Sequence, residues 1–297
     1  MKIFKLYNNI IFKKIFLFLN IIILYIIILY ISFDSNFIYV TLTSWKTRIN
    51  FIHKNLESLL SNKIKPKKII LNLSVEEFPK KNLDLPLEIL NLLEKYRNFE
   101  IFWVDKNTKV FKKLIPTLNR YKKGIIITVD DDILYPNDLI EKMLKCYKKL
   151  GGNSPVTFGT KHTDWEINGK IIHSHYGRGS IVSYKYFNNK INELYKYTTE
   201  DLINKGFKCP DDLIYTYAAL LNGYKYKRCK DYFIKVYDYI PPKLSNPFSE
   251  FKNQTYVMFV QQYNNIVKEF IKNHYNISID QLIEKTNNKK YFKKFNN

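Results

Sequence analysis

The sequence predicts an α/β domain with a parallel sheet, set behind one N-terminal membrane-crossing helix. Two observations carry that expectation. Short runs rich in β-branched and aromatic residues recur roughly every 25 to 30 residues, with helically spaced segments between them, which is the signature of βαβ units. Ahead of them, Ile15 to Phe33 (IFLFLNIIILYIIILYISF) carries no charge. A length of 297 residues with 46% hydrophobic and 16% aromatic content suits one large or two small domains and excludes a disordered chain. Nine glycines exclude a collagen-like architecture, and no fixed-period repeat suggests a solenoid.

The elements follow in chain order. Residues 1–14 form a basic tail, and residues 15–33 form the expected single-pass anchor. Nineteen helical residues span ~28 Å, close to the ~30 Å hydrocarbon core. A cleaved signal peptide has a shorter apolar run and small residues at its cleavage site, whereas Asp34, Ser35 and Asn36 follow here. Lys2, Lys5, Lys13 and Lys14 precede the span, and Lys46 and Arg48 are the first basic residues beyond it. That asymmetry favours a cytoplasmic N-terminus and an external domain, but lysine is so abundant throughout that the side stays open. Sequons at Asn72, Asn253 and Asn276 decide nothing, because asparagine, serine and threonine are all common.

Within the domain, residues 34–285, Phe37 to Thr43 (FIYVTLT) reads as a first strand and Phe51 to Leu60 as a helix. Lys68 to Leu73 is a second strand, Leu87 to Tyr96 a second helix, and Phe99 to Val104 (FEIFWV) a third strand. Phe111 to Tyr121 reads as a helix begun or interrupted by Pro116, and Gly124 to Val129 (GIIITV) is the fourth and most apolar strand. Near-continuous apolar strands imply a sheet covered on both faces. Leu139, Ile140, Met143, Leu144 and Tyr147 then share one helix face, closed by Gly151-Gly152. Tyr256, Phe259, Tyr263, Ile266 and Phe270 are helically spaced, and Ser278 with Gln281 forms a capping box for a last helix. A Lys-rich tail, 286–297, ends the chain.

The net charge of +21 resembles a nucleic-acid signal, but only five of the 48 basic residues are arginine and the lysines are scattered. A nucleic-acid surface clusters both on one element, so no specific nucleic-acid partner is expected. Cys146, Cys209 and Cys229 contain no CxxC pair, which excludes a structural zinc site of the usual kind and leaves a Cys209–Cys229 bridge open.

The chemistry concentrates at Asp130-Asp131-Asp132, directly after the fourth strand. Ligands of open α/β sheets bind outside the carboxyl ends of the strands. Three adjacent carboxylates repel one another, and a hard divalent cation, Mn²⁺ or Mg²⁺, would offset that repulsion. In extended backbone alternate side chains share a face, which directs Asp130 and Asp132 to one site and Asp131 away.

Lys112 to Leu139 (KKLIPTLNRYKKGIIITVDDDILYPNDL) and Val40 to Ile49 (VTLTSWKTRI) resemble the donor-site segments of GT-A glycosyltransferases. The similarity is to bacterial family-2-like enzymes of capsule and surface-polysaccharide synthesis, and it covers roughly Ile38 to Cys229. It implies a Rossmann-like nucleotide-diphospho-sugar transferase domain that moves sugar from a nucleotide-sugar to a glycan or glycolipid hydroxyl beside the bilayer. It implies further that Asp132 is the direct metal ligand and that Asp130 contacts the ribose or a metal-bound water. Thr43, Ser44, Lys46 and Arg48 would contact the nucleotide, with Lys112 and Lys113 close to the diphosphate. His173 and His175 alternate in IIHSHYGRGS, and His175 is a candidate further metal ligand; Gly177 to Ser180 resembles the segment bordering donor and acceptor. Asp211-Asp212 resembles the acidic pair supplying the base in inverting members, with Asp212 preferred. The bland alternative is that one of the pair caps the apolar helix that follows. Relatives often carry Glu-Asp where this chain has Pro-Asp-Asp.

Two other classes compete. A nucleotidyltransferase also needs carboxylate-bound metal, but normally shows a Gly-rich loop after the first strand, and none is present. A non-catalytic basic membrane-associated protein leaves both acidic clusters without a purpose.

Overall fold

The computed structural model describes residues 17–20, 37–158, 164–167, 170–174, 179–207, 209–229, 237–238 and 253–287. The expected anchor falls outside these apart from the helical residues 17–20. Among the described residues no helix is long and apolar enough to cross a membrane.

The strands are β1 (Ile38–Thr43), β2 (Lys68–Ser74), β3 (Phe99–Val104), β4 (Ile125–Thr128), β5 (Ile133–Leu134), β6 (Val156–Thr157), β7 (Asp164–Ile167), β8 (Lys170–Ser174), β9 (Ser180–Val182), β10 (Lys227–Arg228) and β11 (Tyr237–Asp238). The helices are α1 (His53–Leu60), α2 (Leu87–Lys95), α3 (Ile115–Arg120), α4 (Leu139–Lys149), α5 (Lys190–Thr198), α6 (Glu200–Asn204), α7 (Asp211–Leu221), α8 (Asn253–Tyr275) and α9 (Ile279–Asn287). The main sheet runs in the order β10-β6-β9-β4-β1-β2-β3. Strands β1 to β4 are parallel to their neighbours among themselves. Strand β9 runs antiparallel to both β4 and β6, so the sheet is mixed rather than wholly parallel.

Strands β1, β2 and β4 bury both faces, as their apolar runs require, while the edge strand β3 is only partly covered beyond Phe99. Ile38, Val40 and Leu42 pack with Leu56 of α1, Ile89 of α2 and Met143 of α4. Tyr39 and Ile126 face the other way, against Leu118 of α3, Leu194 of α5, Ile214 of α7, Val267 of α8 and Leu282 of α9. The segment expected as one helix from Phe111 splits into a 3-10 turn at Lys109–Lys113 and the short α3, whose first turn holds Pro116. Proline is tolerated there because that N–H has no intrahelical acceptor.

Chain reversal before β4 depends on Gly124, which has φ +97°. A Cβ there would collide with the Phe37 carbonyl. Gly124→Ala is therefore expected to lower stability by about 1–3 kcal/mol, measured by denaturant unfolding; an unchanged midpoint would contradict this.

The cysteine pairing differs from the one the sequence left open. Cys146, near the end of α4, is bridged to Cys229, just beyond β10, with Cα atoms 6.2 Å apart. Cys209 is an unbridged, buried thiol. It packs in the core with Leu213 and Tyr263, which keeps it from Cys229. The bridge closes a separation of 83 residues. Cys229→Ser should cost ~2–4 kcal/mol under oxidising conditions, and the difference from wild type should vanish in reductant. A cost that persists in reductant would mean that packing, not the bridge, accounts for it.

Candidate functional site

The site lies where β1 and β4 end side by side. Strand β4 pairs with β1 through Thr41↔Thr128, and the Val129 N–H donates to Thr41 O at 3.0 Å. Extended backbone therefore lasts to about Asp130, and Asp131 and Asp132 sit in a turn. Simple alternation does not reach that far; Arg48 holds Asp131 and Asp132, and Lys113 holds Asp130.

Asp131 is buried. Ser44 Oγ donates to its Oδ2 at 2.6 Å, and Arg48 Nη1 bonds its Oδ1. Arg48 Nη2 also lies 3.2 Å from Asp132 Oδ2. The loop after β1 is thus tied across to the loop after β4 through a buried guanidinium. Burial pushes the Asp131 carboxyl up, while Arg48 and Ser44 pull it back down. The half-buried Asp132 carboxyl is pushed up to about 7, first by desolvation and then by the charge of Asp130, with Arg48 opposing.

Asp130 has a different partner. Its Oδ1 accepts from Lys113 Nζ at 3.0 Å. Lys113 is buried, and its Nζ lies 3.5 Å from Asp211 Oδ2 in the first turn of α7. Burial pulls the Lys113 ammonium down, but Asp130, Asp211 and Asp212 together hold it above the ordinary lysine range. The backbone that carries Lys113 is fixed by a polar stripe through the core. Thr41 Oγ1 donates to Lys113 O at 2.7 Å, and Asn72 Nδ2 donates to Thr41 Oγ1 at 2.8 Å. Asn72 is fully buried, so its sequon has no exposed acceptor in the folded chain.

The neighbouring Lys112 turns elsewhere. Its Nζ pairs with Glu77 and donates to Asn107 Oδ1 at 2.6 Å, and burial lowers its affinity for the proton despite Glu77. Two adjacent lysines thus separate, one into the site and one into a loop support.

Two residues with no motif signal hold the turn in place. Asn55 Nδ2 donates to Asp130 O at 2.9 Å and Ile133 O at 2.6 Å. The Tyr135 hydroxyl accepts from the Asp130 N–H at 2.9 Å. The one available clue to Asn55 is position: it lies four residues before Leu59, on the apolar face of α1. Gly179, φ +115°, lets the chain entering β9 pass Thr128; a Cβ there would lie 3.0 Å from Thr128 O.

The remaining candidates are placed as follows. The half-buried Thr43 donates its hydroxyl to Asn72 O at 2.8 Å. Asp211 and Asp212 are buried side by side in the first turn of α7, whose N-cap is Pro210 with no side-chain capping bond. They contribute charge at the positive end of the helix, but neither acts as the side-chain cap that the bland alternative required. His173 lies in β8, and His175 lies outside the described residues.

Asp130 and Asp132 supply hard oxygen donors, and a divalent cation would relieve the Asp130 repulsion that adds to desolvation in raising Asp132. The donor set therefore suits Mn²⁺ or Mg²⁺. Among the described residues no group of three or more His, Cys, Asp or Glu side chains is gathered to hold a metal.

No family model matches the chain, and no curated protein matches it. Among solved structures it is similar to Staphylococcus aureus TarS at 14% identity and TM-score 0.47, covering 82% of this chain and 44% of that one. It is also similar to the mannosyltransferase PcManGT from Pyrobaculum calidifontis in complex with GDP-Man and Mn²⁺, at 11% identity, TM-score 0.48 and coverages of 88% and 70%. A third likeness is to 4-diphosphocytidyl-2C-methyl-D-erythritol synthase from Anaerococcus prevotii, at 15% identity, TM-score 0.43 and coverages of 78% and 98%. The chain thus spans less than half the length of the TarS chain. These likenesses are distant, and the functional reading rests on the site's own residues.

Proposed function

We propose that this chain is a membrane-anchored, metal-dependent glycosyltransferase that moves a sugar from a nucleotide-sugar to a glycan or glycolipid hydroxyl. One observation carries the reading: carboxylates from two separate elements, the end of β4 and the first turn of α7, converge on one buried ammonium, that of Lys113. The shared cation brings the end of β4 and the first turn of α7 together, so one element can supply the donor-side carboxylates and the other the base for the acceptor hydroxyl.

A cation held by Asp130 and Asp132 would act as a Lewis acid toward the departing diphosphate. The residues do the rest. Asn55 and Tyr135 fix the turn that presents the two carboxylates. Arg48 and Ser44 hold Asp131 down and Asp132 in place. Asp212 takes the proton of the acceptor hydroxyl as its oxygen attacks the anomeric carbon. The uncharged run from Ile15 to Phe33 supports placing this chemistry beside a bilayer, where a lipid-linked acceptor would lie.

The test is a screen of nucleotide-sugars for release of nucleoside diphosphate by the full-length chain, with Mn²⁺ and with chelator. Mn²⁺-dependent release from one donor class is expected. Release of pyrophosphate from a nucleoside triphosphate instead would replace this reading with a nucleotidyltransferase.

A further inference from the structure

We propose that Lys113 and Asp211 form a positioning pair that couples the donor side of the site to its acceptor side. The inference rests on the glycosyltransferase reading and gives both residues roles different from those the resemblance implies. Lys113 becomes a tie between two elements rather than a diphosphate contact. Asp211 becomes its anchor, and the base role falls to Asp212 alone.

The geometry points this way in three respects. Lys113 Nζ lies 3.0 Å from Asp130 Oδ1 and 3.5 Å from Asp211 Oδ2, so one ammonium touches both elements. Asp211 Oδ2 is buried, and the Tyr215 hydroxyl beside the same carboxyl supplies a hydrogen bond but no charge, so the cation that answers Asp211 is Lys113. The Lys113 backbone is fixed independently, by the Thr41 hydroxyl on its carbonyl at 2.7 Å. A side chain anchored at its root by β1 and gripped at its tip by Asp130 and Asp211 has little freedom to follow a ligand. It does fix the distance between the end of β4 and the first turn of α7. That distance must be right when a donor held at the first is attacked by an acceptor activated at the second, because misplacement costs rate rather than binding.

A double-mutant cycle tests the pair: wild type, Lys113→Met, Asp211→Asn and the double variant, with Lys113→Arg as the conservative control. In steady-state turnover of the nucleotide-sugar found by the screen, each single variant should lose ~10–10² in kcat with donor KM changed less than about threefold. The double variant should be no worse than the poorer single variant. Lys113→Arg should recover turnover to within about tenfold of wild type. Losses that multiply, or a Lys113→Met defect confined to donor KM, would return Lys113 to the diphosphate and overturn the pair.

Thermal unfolding of the same variants without any ligand gives a second reading. Lys113→Met leaves Asp211 and Asp130 facing each other and should melt about 5 °C or more below wild type. The double variant should melt above Lys113→Met. A double variant that melts lower still would overturn the pair. If wild type turns over no nucleotide-sugar, the glycosyltransferase reading fails, and the melting cycle still decides whether Lys113 and Asp211 act together.

Discussion

Asp132→Asn should reduce nucleotide-sugar turnover by ~10² or more, the range seen when one key electrostatic group is lost from a transition-state site. The substitution keeps the shape of the side chain and removes its charge. Its second expected effect has the opposite sign. In the folded protein the Asp132 carboxyl is pushed from its ordinary 3.8 to about 7 by desolvation and by Asp130. The native state therefore binds that proton more tightly than the unfolded chain, and stability is lost as pH rises from about 4 through about 7. Asn carries no such charge. Asp132→Asn should thus melt higher than wild type at pH 8, with the gap closing below pH 4. Mn²⁺ should raise the wild-type melting temperature at pH 8 and leave the variant unmoved. Asp131→Asn should lose less turnover, because Asp131 is buried against Arg48 and Ser44. Full turnover in Asp132→Asn, or a lower melting temperature at pH 8, would remove Asp132 from the donor site.

Parts of this arrangement are legible in the sequence, and the reason lies in the range of the forces concerned. Strands β1, β2 and β4 announce themselves because each is buried on both faces, which leaves runs such as GIIIT, and the edge strand β3 shows through its aromatic and β-branched residues. Strands β6, β9 and β10 have two or three residues each, too few for any period to show, and they turn an expected parallel sheet into a mixed one. The acidic triplet is legible because like charges rarely adjoin without a purpose. What answers those charges is not: Arg48 and Asp131 are 83 positions apart, and nothing local marks either as the other's partner. Asn55 is hidden for the same reason, since its acceptors are carbonyls brought to it by the fold. The lysine pair shows the limit most plainly. Lys112 and Lys113 look alike in the chain, and only the path of the 3-10 turn sends one toward Glu77 and the other toward Asp130. The Cys146–Cys229 bridge was equally invisible, because pairing depends on where α4 ends relative to the sheet edge.

Arg48→Met should produce the largest loss of stability of any single substitution considered, about 3–5 kcal/mol, the cost of removing one partner from a buried ion pair. Arg48 and Asp131 are both buried, so water cannot replace the lost guanidinium. Ser44 donates to Asp131 at 2.6 Å, but a hydroxyl dipole offsets only part of a full charge in a poorly solvated place. Arg48→Lys should recover little. A single ammonium cannot reach Asp131 and Asp132 together in the way the two guanidinium nitrogens do. The decisive comparison is Arg48→Met with Arg48→Met/Asp131→Asn in denaturant unfolding. If the loss arises from an uncompensated carboxylate, removing that charge should restore about half of it or more. If it arises from lost packing of the arginine stem, the second substitution will restore nothing. A loss below about 1 kcal/mol in Arg48→Met would place the pair among those worth little, and the loop after β1 would then need another anchor to the turn that carries the acidic triplet.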